Sequence, residues 1–319
     1  MAALNAYRVF ARWMTPEFAP IPSSFEVEGD AVWTHCGDRG DAAMYLYGCS
    51  RYLLARGDAA LAEELWPALA WCAEYCRRKL TADGVVASDT DELEGRFPTG
   101  KANLSTSTLA YGGLRSAAAL ARDLGRAEVA ADYEQRAEAL AAAIERYFGA
   151  TVEGYATYRY YDGGEVLRSW ICLPLTMGLG QRAARTIEAL FSPRLWTADG
   201  LATQAGEVTF WDRATLYGLR GVLQAGATER AMAFLTQFSR RRLLGDHVPY
   251  MIEAHPEGGQ AHLAAESALY ARVITEGLFG LTPTGLSRFQ CRPRLPEGWP
   301  SMALRGVCSA RPSPPTTAW

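Results

Sequence analysis

The chain has 319 residues, 49% of them hydrophobic and 21% charged, a composition that can bury a sizeable core. A formal net charge of −3, with basic residues scattered apart from Arg77-Arg78-Lys79 and Arg240-Arg241-Arg242, offers no field for a phosphate backbone, so nucleic acid is not an expected partner. No stretch approaches about 18 uncharged apolar residues, so no membrane span is expected. The seven cysteines, none in a CxxC pair, fit a reducing, cytoplasmic setting.

In chain order, residues 1–14 (MAALNAYRVFARWM) read as a helix, because Arg8 and Arg12 interrupt the apolar run a leader would need. DAAMYLYGCSRYLLAR follows, ending at Gly57, a residue that tolerates the left-handed position after a helix. Asp58 then caps a second helix, whose Leu61, Leu65, Leu69, Cys72 and Cys76 share one face. Cys72 and Cys76 therefore belong to core packing. This pair of helices forms an αα-hairpin with a tight turn.

The same hairpin recurs around Gly125, more weakly around Gly180, and again around Gly226, and a further helix is expected near 262–280. The turn glycines are 68, 55 and 46 residues apart, too long and irregular for 34-residue solenoid repeats. The connections between hairpins are long, roughly 80–103, 149–167, 192–213 and 240–261. Each hairpin sends the chain up and back, so the short turns fall at one end and the long connections at the other. Long connections in a compact domain are usually functional.

These connections hold the unusual residues. Asp89, Asp91, Glu92 and Glu94 place four carboxylates within six positions, followed by Arg96. Mutual repulsion raises the pKa of one of them toward that of an acid catalyst, while a solvated acidic loop or a Ca²⁺ site uses the same oxygens. Glu253 stands among apolar neighbours near His255 and His262, as a general base would, or as a structural salt bridge would. Glu266 is the second candidate base; Glu276, beside Gly277, is expected to be structural. Trp33, Asp38, Arg39, Asp41, Trp211 and Asp212 combine aromatics with carboxylates, a pattern that suits sugar subsites, although loop tryptophans also anchor cores. No metal or cofactor is called for, and the oligomeric state is left open.

Three patches resemble the six-hairpin glycosidases, a superfamily that includes bacterial α-L-rhamnosidases and debranching glucosidases. WTHCGDRGDAAMYLY (33–47) with YLLARGDAALAEELW (52–66) is similar to a "W-G-D-A … Y-x-x-x-G-D" stretch, with Asp41 matching its aspartate. Residues 88–103, ending in PTGKAN, resemble the acid-bearing loop of the debranching-glucosidase and trehalase-like branch. GLFGLTPTGLSRFQCRPRLPEGW resembles the segment joining the last barrel helix to a C-terminal β-sandwich.

The resemblance implies an all-α fold, an (α/α)6 toroid over residues 1–281, with a β-sandwich remnant at 282–308; the Pro/Thr-rich composition of 309–319 reads as a disordered tail. The resemblance also implies hydrolysis of a glycosidic bond in an oligo- or polysaccharide by an inverting mechanism. Asp91 would be the general acid, with Asp89 and Glu92 its nearest rivals, and Glu253 the base. Trp33, Asp38, Arg39, Asp41, Glu92, Arg96, Lys101, Asn103, Trp211, Asp212, His255 and His262 would bind the carbohydrate. Ile252 stands where the family has a tryptophan before the base. Ten expected helices are two short of a closed six-hairpin ring, so the chain reads as a fragment. Alternative readings are a lyase or epimerase of the same toroid class and a non-catalytic carbohydrate-binding remnant.

Overall fold

The computed structural model describes residues 2–25, 32–33, 35–207, 209–242, 254–255 and 264–306. Ten α-helices run through these residues: α1 (Ala2–Ala11), α2 (Asp41–Arg56), α3 (Ala59–Arg78), α4 (Leu104–Asp123), α5 (Ala127–Phe148), α6 (Cys172–Thr176), α7 (Ala183–Leu190), α8 (Asp212–Gln224), α9 (Thr228–Arg242) and α10 (Ala264–Arg272). A π-helical turn, Val273–Leu278, continues α10. Among the described residues no helix is long and apolar enough to cross a membrane.

The expected hairpins around Gly57, Gly125 and Gly226 are α2–α3, α4–α5 and α8–α9, and α6 and α7 occupy the two segments expected around Gly180. Gly57 ends α2 at φ 66° and donates its N–H to the Leu53 carbonyl, while Asp58 caps α3 by accepting from Leu61 N at 3.1 Å. Both devices satisfy backbone groups that a helix end leaves unpaired. Around Gly180 the structure differs from the sequence reading. The left-handed residue is Gly178 (φ 82°), and a 3₁₀ turn at Ser169–Ile171 runs into α6, which is only five residues long.

Burial separates two kinds of helix. In α2, α4 and α8 buried residues occupy most positions, whereas α3, α5 and α9 bury one face and expose the other. The first set packs on its own members and neighbours: α2 against α4, α4 against α6, α6 against α8, and α8 against α10 and the π-helical turn. Close approach needs small residues. A Cβ on Gly113 of α4 would lie 2.7 Å from Leu46 Cγ and 2.9 Å from the Tyr47 amide nitrogen of α2.

The connections carry five two-stranded antiparallel ladders among the described residues. They are β1 (Ser24–Phe25) with β2 (Val32–Trp33), β3 (Gly149–Val152) with β4 (Tyr155–Tyr158), β5 (Trp196–Thr197) with β6 (Gly200–Leu201), β7 (Phe210–Trp211) with β8 (Ala254–His255), and β9 (Leu281–Gly285) with β10 (Arg288–Cys291). The long loops are tied one to the next. Asn103 bridges Tyr161, Arg168 bridges Gln204, Ala202 bridges Phe210, and Phe210 pairs with His255. With the backbone bond from Asp89 to Asp38 and the Arg213–Glu266 ion pair, these links bring the N-terminal ends of α2, α4, α8 and α10 together. The β9–β10 hairpin packs at the opposite end, against α2, α4 and the π-helical turn.

Candidate active site

The acidic segment 88–96 folds over the N-terminus of α4. Asn103 caps that helix, its Oδ1 accepting from Thr106 N at 2.9 Å, and its Nδ2 donates to Ser88 Oγ (2.8 Å) and to the Thr90 carbonyl (3.1 Å). One side chain thus fixes both the helix start and the loop above it. The Ser88 amide donates to the carbonyl of Lys101, whose residue is exposed.

The four carboxylates of this loop have separate environments. Asp91 is fully buried: Oδ1 accepts from Leu93 N at 2.9 Å, and Oδ2 accepts from the Tyr160 hydroxyl at 2.7 Å and from Arg168 Nη2 at 3.2 Å. Arg168 is itself buried and lies over the Tyr160 and Phe97 rings at 4.2 and 4.8 Å. Asp89 accepts from Asp38 N at 2.8 Å, and the Asp89 amide returns a bond to the Asp38 carbonyl. Glu94 pairs with Arg39 Nη1 at 2.7 Å.

Glu92 is different. Its residue is partly exposed, yet Oε1 is sealed from solvent and has no hydrogen-bond partner among the described residues. Burial and the adjacent Asp91 charge raise its carboxyl to about 7, against the opposing pull of Arg213 and Arg168. Arg213, in the first turn of α8, also pairs with Glu266 of α10, with 2.9 Å from Nε to Oε1. Glu266 is fully buried, and its Oε2 has no partner among the described residues. Arg213 is thus ion-paired to Glu266 and close enough to Glu92 to oppose the rise of its carboxyl, and each glutamate keeps one oxygen without a hydrogen-bond partner among the described residues.

An unsatisfied buried oxygen costs on the order of 1–3 kcal/mol, and such groups concentrate where a ligand completes the bonding. Trp211 flanks the pair: the Arg213 guanidinium lies 5.7 Å from its ring centroid, and its indole Nε1 is buried with no acceptor among the described residues. Arg96 reaches from the acidic loop to Thr209 Oγ1 at 3.2 Å, tying that loop to the segment before β7.

The other expected site residues have the following surroundings. Asp38 is buried, accepting from the Tyr75 hydroxyl at 2.7 Å and from Gly40 N at 2.8 Å. Asp41 opens α2 and accepts from Ser23 Oγ, Arg39 N and Arg39 Nη2; burial raises its carboxyl despite the guanidinium. Asp212 is buried against Arg242, with 2.9 Å between Oδ1 and Nη2. Trp33 and His255 are placed only as the ladder partners of Ser24 and Phe210. Glu253 and His262 lie outside the described residues.

Glu276 is gripped by Arg51, Arg220 and Arg272; burial opposes ionisation, but the three guanidiniums outweigh it and hold the carboxyl at about 2. Arg168, Tyr160 and Arg213 have no signal in the local sequence. Their carboxylate partners are 53 to 77 positions away, and only the pairing of basic with acidic segments could have revealed them. Among the described residues no group of three or more His, Cys, Asp or Glu could hold a metal ion.

No family model matches the chain, and no curated protein matches it. Solved structures do. A sialidase aligns over 86% of this chain with a TM-score of 0.63 and 15% identity, and a GH78 family rhamnosidase of Bacillus sp. GL1 over 75% with a TM-score of 0.57 and 18% identity. The chain spans only 29% and 26% of the length of those two proteins. At such identities the likeness is one of fold alone, shared with these two proteins over most of this helical chain.

Proposed function

We propose that the chain carries a glycoside hydrolase site acting on an oligo- or polysaccharide, with Glu92 as general acid and Glu266 as its carboxylate partner across Arg213. Glycosidic cleavage needs one protonated and one ionised carboxyl facing the same bond. The observation that carries the assignment is the contrast between the two glutamates: the Glu92 carboxyl is raised to about 7, whereas Glu266 is ion-paired to Arg213. Asp91, implied by family resemblance to be the acid, has both oxygens occupied by Leu93, Tyr160 and Arg168. Its role in this reading is to sustain the raised pKa of its neighbour.

In the reaction, Glu92 passes its proton to the leaving glycosidic oxygen as the C–O bond breaks. Glu266 takes a proton from the water that attacks the anomeric carbon from the opposite face, giving inversion. That geometry calls for carboxyls about 6.5–9.5 Å apart. Glu253 is the alternative base. Trp211 offers an apolar face to the sugar, and its indole N–H is available to a hydroxyl. The helices packed in sequence, α2–α4–α6–α8–α10, would form the inner wall of the (α/α)6 toroid, residues 1–281. The β9–β10 hairpin would open a β-sandwich remnant at 282–308, followed by the 309–319 tail.

The test is turnover of aryl glycosides and plant and bacterial oligosaccharides by the full chain and by Glu92→Gln, Glu266→Gln and Glu253→Gln. A loss of 10²-fold or more in Glu92→Gln, and in one of the other two, is expected. Wild-type turnover left unchanged by Glu92→Gln would remove the assignment. Unsaturated products would identify a lyase, and saturable sugar binding without turnover a binding remnant.

A further inference from the structure

A second concave site lies at the other end of the helices, between the C-terminal halves of α2 and α4, the π-helical turn and the β9–β10 hairpin. Its volume is about 580 Å³, within the range of small-molecule sites. Five arginines, Arg51, Arg115, Arg122, Arg292 and Arg294, line it with only two carboxylates, Glu134 and Glu276.

The charges do not cancel locally. Glu134 pairs with Arg122, and Glu276 is already shared among Arg51, Arg220 and Arg272. Arg294 donates to the Gln224 carbonyl, a neutral acceptor, and Arg292 is oriented by the Gln290 amide. Arg115 is exposed and makes no ion pair among the described residues. Arg51 keeps a buried Nε with no acceptor among the described residues. Seven guanidiniums thus answer to two carboxylates. The field is felt by the wall itself: burial opposes a phenolate, yet Arg220, Arg272 and Arg51 draw the Tyr47 hydroxyl below its ordinary value.

Arg51 and Arg294 are partly buried and Arg115, Arg122 and Arg292 face the cavity mouth, so an anion entering it could accept from several guanidiniums at once, and phosphate matches their planar donor pairs. From this geometry we propose that the Arg51–Arg115–Arg292 cavity binds a small phosphate dianion, free or as the ester of a small metabolite. The site is separate from the Glu92–Glu266 centre. Glu266 and Glu276 are ten residues apart on one continuous helical segment, about 15 Å along its axis. The proposal does not depend on the glycosidase reading.

Calorimetric titration of the full chain with inorganic phosphate, glucose 6-phosphate and glucose, at fixed ionic strength, tests it. Saturable binding of phosphate or of the ester at millimolar or lower concentration is expected, with no binding of glucose. Tighter binding of the ester identifies an esterified ligand, and equal binding the free anion. Arg115→Gln with Arg292→Gln should weaken binding at least tenfold, and each single variant by an intermediate factor, while Glu92→Gln binds as wild type. Absence of saturable binding, affinity unchanged in the double variant, or binding lost in Glu92→Gln would overturn the proposal.

Discussion

Replacing Glu92 by glutamine should stabilise the protein at neutral and alkaline pH while removing the proposed hydrolytic activity. In the folded chain burial raises the carboxyl to about 7 from an ordinary value of 4.5. The folded state therefore holds its proton where the unfolded state has released it, and stability falls as pH rises from 4.5 through 7. At about 1.36 kcal/mol per unit, the full cost above pH 7 is about 3 kcal/mol, and glutamine, which never ionises, does not incur it. Below pH 4.5 both side chains are neutral and the two proteins should be equally stable. Urea denaturation at pH 5 and pH 8 measures the difference. The advantage of Glu92→Gln should be under about 1 kcal/mol at pH 5 and roughly 2 kcal/mol larger at pH 8. A variant no more stable than wild type at pH 8, or one whose advantage is the same at both pH values, would refute the reasoning.

Arg213→Met should leave Glu266 buried without its cation and destabilise the fold by about 3–5 kcal/mol in denaturant titrations. It should also move the alkaline limb of any pH–rate profile upward, because the guanidinium opposes the rise of the Glu92 pKa. Arg168→Met strips the buried Asp91 of its charge partner and should cost a similar amount, measured the same way. Gly113→Ala forces a methyl to 2.7 Å from Leu46 Cγ and should cost about 1–3 kcal/mol by thermal unfolding, with α2 and α4 pushed apart.

The helical frame was legible where amphipathic periodicity and a closing glycine coincided, as at Gly57, Gly125 and Gly226. Around Gly180 both expected helices are present, as α6 and α7, but the first is short and its end was not legible, for a physical reason. Residues 169–176 are buried throughout, so they carry no polar face and no helical period, and the left-handed turn falls at Gly178. The acidic loop was legible as a cluster but not by member. Whether a carboxylate is neutralised or left desolvated depends on Arg168 for Asp91, 77 positions away, and on Arg213 for Glu266, 53 positions away. That Asp212 is buried and paired with Arg242, 30 positions away, was likewise not legible in its local sequence.

The most direct measurement is the ionisation of Glu92 itself, read as the pH-dependent carboxyl infrared difference between wild type and Glu92→Gln. A protonated carboxyl band that persists through pH 6 and disappears around pH 7 is the predicted result. A band already lost by pH 5 would show an ordinary, solvated glutamate and would contradict its role as the acid.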